Sequence, residues 1–423
     1  ITFEFLREGD DSRSLSNASV RYIYQDSFDN VWLGTWGGGI NFISSEPALF
    51  TTIDYSPIPT NSNSLNNKIV SSICTDQQGR LWIGTDGGGI NVFENNKRVA
   101  IYKKETGELL SNSVQAAFRD SKGNLWFGTF LGSVSFYNSQ TKTFRSITPM
   151  GRTNLDVRAF CEDNQHRIWI GCGEGIYIYD PEKMEVIQHY HSGNSELHGN
   201  LIRTIEQDEK GRFWIGTFGD GMGVYNSPDF HLIKHYIQRE GFCSNTVNQI
   251  YKDKEKRMWV ATGDGLVCFR SPEDTDYKTY QRKDGFANTF IQAITEDQQG
   301  NIWFSTNKGI GCYVTKKKRF YHYGHSDDVP AGNFMRGSVA KNTDGSIYFG
   351  SINGLCCFAP NIAMSNFKIP PVIITEMRIF ERLGNQKNSE VFVSLSDKQE
   401  VELTHEQNTF SLTFNVQNYS FVN

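Results

Sequence analysis

The sequence predicts an all-β chain built as a β-propeller, because one motif recurs along most of its length with no helical periodicity. Seven of the eight tryptophans mark successive copies, 43 to 50 residues apart, and Tyr348 takes the same place in an eighth copy. Each copy reads as four short strands rich in β-branched and aromatic residues. Four strands in about 45 residues, repeated radially, are typical of propeller blades. The seven tryptophans are Trp32, Trp82, Trp126, Trp169, Trp214, Trp259 and Trp303.

A tight turn joins the first two strands of each copy. An Asp lies six residues before the Trp in seven copies, and Asn342 replaces it in the eighth. In five copies a Gly follows three residues later, as Gly79 follows Asp76. Because Asp bonds to nearby backbone and Gly accepts a positive φ, this pair predicts a hairpin. We expect the Trp to pack between neighbouring blades rather than to bind a ligand.

The repeat count leaves two ring sizes open. A second Gly, six or seven residues after the Trp position, begins a third strand such as GINVF, and a fourth follows, as in HLIKHY. The chain begins with ITFEFL, which matches a fourth strand, and the eighth copy lacks one. A terminal strand could therefore close an eight-bladed ring, which would cover both open edges. The alternative is seven blades plus one blade of a neighbouring propeller. We place the propeller at residues 1–361.

The sequence changes character after residue 361. PPVIITEMRIFERL predicts a strand after a Pro-Pro linker, and VELTHEQNTFSLTFNVQNYSF alternates apolar and polar side chains as a half-buried strand does. Residues 362–423 are therefore predicted to be a linker and the first strands of a β-sandwich that stops before it closes. We expect the chain to be a piece of a longer protein.

The composition argues against several functional classes. A formal net charge of −5 with both signs mixed argues against sequence-independent binding of nucleic acid. No run approaches 18 apolar residues, so no segment of the chain is expected to span a membrane. The N-terminal ITFEFLREGDD lacks the basic and apolar parts of a signal peptide. The eight Cys and nine His show no metal-binding or catalytic spacing, so we expect no cofactor, no metal and no catalytic residues.

Candidate binding residues fall on one face of the predicted ring. Eleven residues before the Trp position, the innermost strands carry polar and variable side chains, among them Arg21, Arg158 and Arg203, which we expect at the channel mouth. These arginines could hold carboxylates or sulfates bidentately, or could line a solvated channel that binds nothing. The loops between the second and third strands also vary between copies, and their aromatic, acidic and basic side chains suit a sugar or a protein partner. These loop candidates are Trp36, Phe130, Glu174, Phe218, Asp220, Asp264 and Lys308.

The repeats resemble a known family. The copies DQQGRLWIGTDGGGI and DEKGRFWIGTFGDGM look like two-component regulator propeller repeats, and ELTHEQNTFSLTFNVQNYSF looks like the start of the Tyr-rich Ig-like domain that follows such propellers. The order along the whole chain is similar to the periplasmic sensor region of hybrid two-component systems of Bacteroides-type bacteria.

This resemblance implies a non-enzymatic periplasmic sensor that binds an oligosaccharide during polysaccharide utilisation. The signal would pass through the Ig-like domain to a histidine kinase outside this chain, within a homodimer of the full-length receptor. The membrane would be reached only through a helix outside the chain. Two other functions stay open, a propeller enzyme that acts on polysaccharide as a lyase or hydrolase, and a protein-interaction platform.

Overall fold

The computed structural model describes residue 8 and residues 15–26, 29–45, 48–58, 60–270, 277–363, 372–381, 389–394, 400–405 and 407–416. Strands dominate these ranges, together with four single-turn 3₁₀ helices and one short α-helix. In the described ranges, no helix has the length and apolar character that crossing a bilayer requires. The chain divides into two compact units, one of residues 49–364 and the other of residues 1–48 with 365–423.

The first repeat forms a sheet of three strands, β1 (Val20–Gln25), β2 (Val31–Thr35) and β3 (Gly39–Ile43). The next seven repeats form blades 1 to 7, numbered in chain order. Blade 1 consists of β5 (Val70–Thr75), β6 (Leu81–Thr85), β7 (Gly89–Glu94) and β8 (Lys97–Tyr102); blade 2 of β9 (Val114–Arg119), β10 (Leu125–Thr129), β11 (Val134–Asn138) and β12 (Thr143–Ile147); and blade 3 of β13 (Val157–Glu162), β14 (Ile168–Cys172), β15 (Gly175–Asp180) and β16 (Glu185–Tyr190). Blade 4 consists of β17 (Ile202–Gln207), β18 (Phe213–Thr217), β19 (Met222–Tyr225) and β20 (Leu232–Tyr236); blade 5 of β21 (Val247–Lys252), β22 (Met258–Thr262), β23 (Gly265–Phe269) and β24 (Tyr277–Tyr280); and blade 6 of β25 (Ile291–Glu296), β26 (Ile302–Thr306), β27 (Gly309–Val314) and β28 (Arg319–Tyr323). Blade 7 consists of β29 (Phe334–Lys341), β30 (Ile347–Ser351), β31 (Gly354–Phe358) and, from before blade 1 in the chain, β4 (Thr51–Ile53).

The remaining elements are short. The 3₁₀ helices are Pro149–Gly151, Gln238–Glu240, Arg282–Asp284 and His325–Asp327, and the α-helix α1 is Pro360–Ala363. The C-terminal strands are β32 (Val372–Glu381), β33 (Ser389–Ser394) and β34 (Thr409–Val416). They form one antiparallel sheet in the order β33-β32-β34, in the region where the sequence predicts the first strands of the sandwich. Met377 and Ile379 of the middle strand are buried.

Blades 1 to 7 form a closed ring around a channel lined by their first strands. Each of these innermost strands packs against the innermost strand of the next blade, and β29 packs against β5 to complete the circle. The last blade takes its fourth strand from the chain that follows the first repeat, because β4 pairs antiparallel with β31. Phe50, which is buried, locks this joint with its ring centroid 4.8 Å from that of Phe358.

The eight-bladed ring is therefore wrong, and the seven-bladed ring of the alternative is confirmed. That the first repeat is a blade of a neighbouring propeller stays a prediction. The ring spans residues 49–364 rather than 1–361, and the terminal ITFEFL that was predicted to close it lies outside the described residues. The first repeat has the strand pattern of a blade but does not enter the circle. Tyr22, Ile23 and Tyr24 of β1 are all more than half exposed, whereas innermost strands within the ring are covered by neighbouring blades.

The predicted Asp turn is a compact hydrogen-bond network, described here for blade 4. The Asp208 carboxylate accepts hydrogen bonds from the backbone N–H groups of Lys210 and Arg212, from Arg212 Nε at 2.7 Å and from Trp214 Nε1 at 2.9 Å. Both carboxylate oxygens are thus engaged, and Asp208 and Trp214 are almost completely buried. The indole bond to the Asp recurs in seven copies, at Asp26, Asp76, Asp120, Asp163, Asp208, Asp253 and Asp297.

The indole held in this way packs into the next blade. Trp169 of blade 3 lies with its ring centroid 3.6 Å from that of Phe213 in blade 4, within a cluster that also contains Ile202 and Ile215. The predicted role of the repeated Trp in blade packing is confirmed for the six tryptophans of the ring. The described ring contact of Trp32 is with Phe42 of its own sheet. The network joins the turn at one end of a blade to the interface with its neighbour.

The residues around the Asp vary in a matched way between copies. Two residues before the Trp stands either Arg or Asn, and in both cases a side-chain N–H donates to the same Asp oxygen, as in Arg167 and Asn124. In the eighth copy Tyr348 has no ring N–H, and Asn342 replaces the Asp. The carboxylate therefore occurs where an indole N–H needs an acceptor.

We expect Asp208→Ala to lower the free energy of unfolding by roughly 2–4 kcal/mol, because it leaves the buried Trp214 N–H without an acceptor and opens the turn. Chemical denaturation followed by tryptophan fluorescence measures this loss. The matched control is Asn342→Ala, which should cost clearly less since Tyr348 presents no ring N–H. Equal losses in both variants would contradict a special role for the Asp–indole bond.

Candidate functional site

One face of the ring is continuous from blade to blade. The loop between the second and third strands of a blade bonds to the loop that enters the next blade, as Gly175 N–H bonds to the Asn200 carbonyl at 3.0 Å. The same bond from Gly354 to the Lys68 carbonyl, at 2.7 Å, joins blade 7 to blade 1. We call this the loop face. The Asp turns lie at the other end of the strands.

Three arginines meet in the channel at the loop face, and we call them the arginine cluster: Arg158 of β13, Arg203 of β17 and Arg336 of β29. Arg336 crosses the channel from blade 7 and donates from Nη1 to the carbonyl of Arg203 in blade 4, at 3.2 Å. Arg203 Nη1 donates to Asn248 Oδ1 at 2.6 Å. Arg158 Nε donates to Asp156 Oδ2 at 2.8 Å. The cluster thus combines side chains of three blades.

The arginine cluster carries more positive charge than its surroundings neutralise. Arg158 is paired with Asp156, whereas Arg203 and Arg336 form no ion pair with any residue that the structure describes. Burial, reinforced by the like charges of Arg158 and Arg203, lowers the pKa of Arg336 to about 9. Burial and Arg158 lower the pKa of Arg203 to about 10. Arg203 and Arg336 therefore both remain protonated at neutral pH.

Two exposed phenylalanines lie against the cluster. The Arg203 guanidinium stacks over the ring of Phe218, with Cζ 4.0 Å from the ring centroid, and Arg158 lies 5.9 Å from the centroid of Phe130. Phe218 is 49% exposed and Phe130 is 41% exposed, so both keep an open surface. The structure therefore brings together two predicted arginines and two predicted aromatic side chains as cation–π pairs.

The first repeat carries the same pairing outside the ring. Arg21 Cζ lies 4.9 Å from the ring centroid of Trp36, and Trp36 is largely exposed. Both residues belong to the unit of residues 1–48 and 365–423. The predictions of Arg21 at the channel mouth and of Trp36 on the loops of the same face are wrong for this ring, because the first repeat is not one of its seven blades.

The other predicted residues lie in loop-face positions with local partners. Glu174 pairs with Arg152 at 2.6 Å, and Asp264 accepts a hydrogen bond from Gln281 Nε2 at 3.1 Å. Lys308 is exposed. Neither these residues nor Asp220 has a hydrogen bond or ion pair with the arginine cluster among the described side chains. Their part in ligand binding stays a prediction.

Arg336 is not among the residues that the sequence repeat predicts at the channel mouth. The position equivalent to Arg158 and Arg203 in the eighth copy is Gly337, one residue later. The pairing of β29 with β30 shifts register between Phe334 and Val339, and Gly337 has a φ of 63° that suits glycine. This irregularity places Arg336 in the channel. An Arg directly before the aligned position was the available signal.

A second feature lies between blades 2 and 3, where a cleft of about 340 Å³ is lined by Lys122, Glu162 and His166, among others. Ser121 Oγ lies 2.6 Å from Glu162 Oε1 and 3.2 Å from His166 Nδ1, and the same Nδ1 lies 2.7 Å from Glu162. A catalytic triad needs Ser and the acid on different His nitrogens, so this group is not one. Within the described ranges, no cluster of three His, Cys, Asp or Glu side chains could hold a metal.

Comparison with known proteins defines the class to which this chain belongs. Seven repeats match the two-component regulator propeller family, and the eighth copy lies outside the matches. The chain therefore carries seven two-component regulator propeller repeats. The matched segments are residues 14–37, 64–87, 108–130, 151–174, 196–219, 241–264 and 285–308.

The similarity extends to whole ectodomains. The chain is 57% identical to the extracellular domain of a protein described as a hybrid two-component system from B. thetaiotaomicron, over 99% of this chain and 55% of that one, with a TM-score of 0.87. A second such domain from the same organism is 21% identical over 96% of this chain and 55% of its own length, with a TM-score of 0.65, and shows the fold alone. A histidine kinase of Formosa agariphila is 25% identical over 297 residues, which are 67% of this chain and 18% of the kinase. This chain thus spans about half the length of these structures and less than a fifth of the kinase.

We expect Arg336→Gln to raise the melting temperature of the ligand-free chain by about 1–3 °C at low ionic strength, because it removes one of three like charges. Differential scanning calorimetry in 20 mM and 1 M NaCl measures the effect, which should shrink at high salt where the screening length falls to about 3 Å. Arg239→Gln, which alters an exposed loop-face arginine, is the control and should change little. A lower melting temperature at both salt concentrations would instead make Arg336 a structural brace.

Proposed function

We propose that the chain is the periplasmic ligand-sensing region of a hybrid two-component receptor and that its loop face binds an oligosaccharide. The similarity to the extracellular domain of a hybrid two-component system, at 57% identity over 99% of the chain, supports the receptor part of this proposal. The observation that supports the binding part is the pair of cation–π contacts at the channel mouth, Arg203 with Phe218 and Arg158 with Phe130.

These contacts suit a sugar for a physical reason. A pyranose ring presents an apolar face of C–H groups and an edge of hydroxyl groups. Phe218 and Phe130 offer exposed aromatic surface to the former, and the neighbouring guanidinium groups donate hydrogen bonds to the latter. Because each Phe is held by an Arg of the innermost strands, it is placed before the ligand arrives, which reduces the entropy lost on binding.

The proposal extends to the longer protein. Binding at the loop face would be transmitted through the C-terminal strands β32 to β34, as the beginning of an Ig-like domain, to a histidine kinase within a homodimer. The Formosa agariphila relative is a histidine kinase, and its longer chain leaves room for such a part. The fragment itself would bind the ligand without altering it.

We expect Phe218→Ala to weaken oligosaccharide binding roughly tenfold, because an exposed aromatic at the centre of a binding surface carries much of the contact energy. Isothermal titration calorimetry of the 423-residue chain against plant, host and microbial oligosaccharides would first find the ligand and then measure the loss. Ile233→Ala removes an equally exposed apolar side chain from the outer strand β20 of the same blade, and it should leave the affinity unchanged.

Two results would contradict this function. Absence of binding across the whole panel, together with a protein that co-purifies with the chain, would favour an interaction platform. Depolymerisation of any glycan, detected by mass spectrometry after incubation with the chain, would favour an enzyme. Equal losses in the Phe218 and Ile233 variants would remove the channel mouth as the binding site.

A further inference from the structure

We propose that the arginine cluster binds the anionic group of an acidic oligosaccharide, a carboxylate or a sulfate ester carried by the sugar. This inference rests on the proposed carbohydrate function of the loop face and names the class of ligand. Inorganic anions and acidic sugars share the chemistry that recognises them, and the experiment below separates the two.

The three arginines of the cluster come together from separate blades. Arg158, Arg203 and Arg336 come from blades 3, 4 and 7, and Arg336 reaches across the channel to the backbone of Arg203. Three long cationic side chains repel one another and would move apart in solvent if nothing held them. Here Asp156, Asn248 and the Arg203 carbonyl fix them at one point of the channel. The fold thus holds like charges together while all three side chains stay partly exposed.

The described side chains around the arginine cluster supply too little negative charge to neutralise it. Among the described residues, Arg158 is paired with Asp156, whereas Arg203 and Arg336 form no ion pair. The lowered pKa values of these two arginines have the same cause, burial beside like charge. An anion bound between them would supply the countercharge that the protein leaves out. Sites that sacrifice stability in this way are commonly functional.

The guanidinium groups of the cluster have more N–H donors than their observed hydrogen bonds use. Each guanidinium carries five N–H donors in a planar fork that matches the two oxygens of a carboxylate or sulfate. The bond of Arg203 to Asn248 and the bond of Arg336 to the carbonyl each use a single nitrogen, Nη1. The unused donors exceed what these contacts employ, so the cluster can accept an anion without breaking its own supports.

Exposed aromatic surface lies beside the arginine cluster. Phe218 lies directly beneath Arg203, and its ring is half exposed. A simple inorganic anion has no use for an apolar surface beside its binding site. An acidic sugar has both a charged substituent and an apolar ring face. The two lie close together in the sugar, as the Arg203 guanidinium and the Phe218 ring do in the protein. The pairing therefore favours a sugar acid or sugar sulfate over a free ion.

The experiment uses calorimetry on the whole chain with four probes: trigalacturonate, its methyl ester, a sulfated carrageenan oligosaccharide and inorganic sulfate. We expect an acidic oligosaccharide to bind, and if the carboxylate is recognised, the neutral methyl ester should bind at least tenfold more weakly. Arg203→Gln and Arg336→Gln should each reduce the affinity about 10- to 100-fold, which corresponds to losing charge-assisted hydrogen bonds. The matched control Arg239→Gln makes the same charge change on an exposed loop-face residue and should bind as the wild type does.

The outcomes separate this inference from the function on which it rests. Neutral oligosaccharides that bind as well as acidic ones, with no loss in the Arg203 and Arg336 variants, would overturn the anion site and leave carbohydrate sensing standing. Binding of sulfate that depends on both arginines, without binding of any oligosaccharide, would support the anion site and count against carbohydrate sensing. No affinity for any acidic probe or for sulfate would overturn the inference. The melting temperatures of the variants, measured alongside, exclude misfolding as the cause of a loss.

Discussion

The hydrogen bond from a buried indole to an Asp carboxylate is the interaction on which the rest of this structure depends. At Asp208 one side chain closes the hairpin, holds Arg212 and fixes the orientation of Trp214. The oriented indole then fills the interface with the neighbouring blade, where a large ring buries much apolar area. Because the same network recurs at nearly every blade, local turn chemistry becomes the geometry of a closed ring. The last joint, between β31 and β4, needs only one short strand.

Because the Asp–Trp networks hold the blades together, side chains at other positions are not required for the fold. The innermost strands and the loop face bear side chains that vary from blade to blade, and their backbone is held by bonds such as that from Gly175 to Asn200. The ring can therefore tolerate Arg203 and Arg336 side by side, although neither forms an ion pair with a described residue. Such a cluster opposes stability, and the buried Asp–Trp networks offset that cost. The separation between a repeated scaffold and an irregular face explains how one fold can serve many ligands.

Much of this architecture could be predicted from the sequence, because each repeat places the same turn and packing residues at the same spacing. The Asp turn, the buried Trp and the placement of polar channel positions and variable loops on one face all follow from spacing, whereas the pairing of Arg203 with Phe218 was seen only in the structure. Blade number did not follow, since the strand that closes the ring pairs with residues about 300 positions away and resembles every other fourth strand. Arg336 was missed because a register shift beside Gly337 moves it by one position. Arg21 and Trp36 were misplaced because a repeat that stays outside the ring reads like one within it.

The central claim is that the ring presents a preformed cationic site which an acidic sugar completes. A crystal structure of the chain grown with an acidic oligosaccharide tests this most directly. The account predicts density for the carboxylate or sulfate within hydrogen-bond distance of Arg203 and Arg336, with the adjoining sugar ring against Phe218 and the three guanidinium groups close to their ligand-free positions. An oligosaccharide bound elsewhere on the chain, with only solvent among the three arginines, would contradict it.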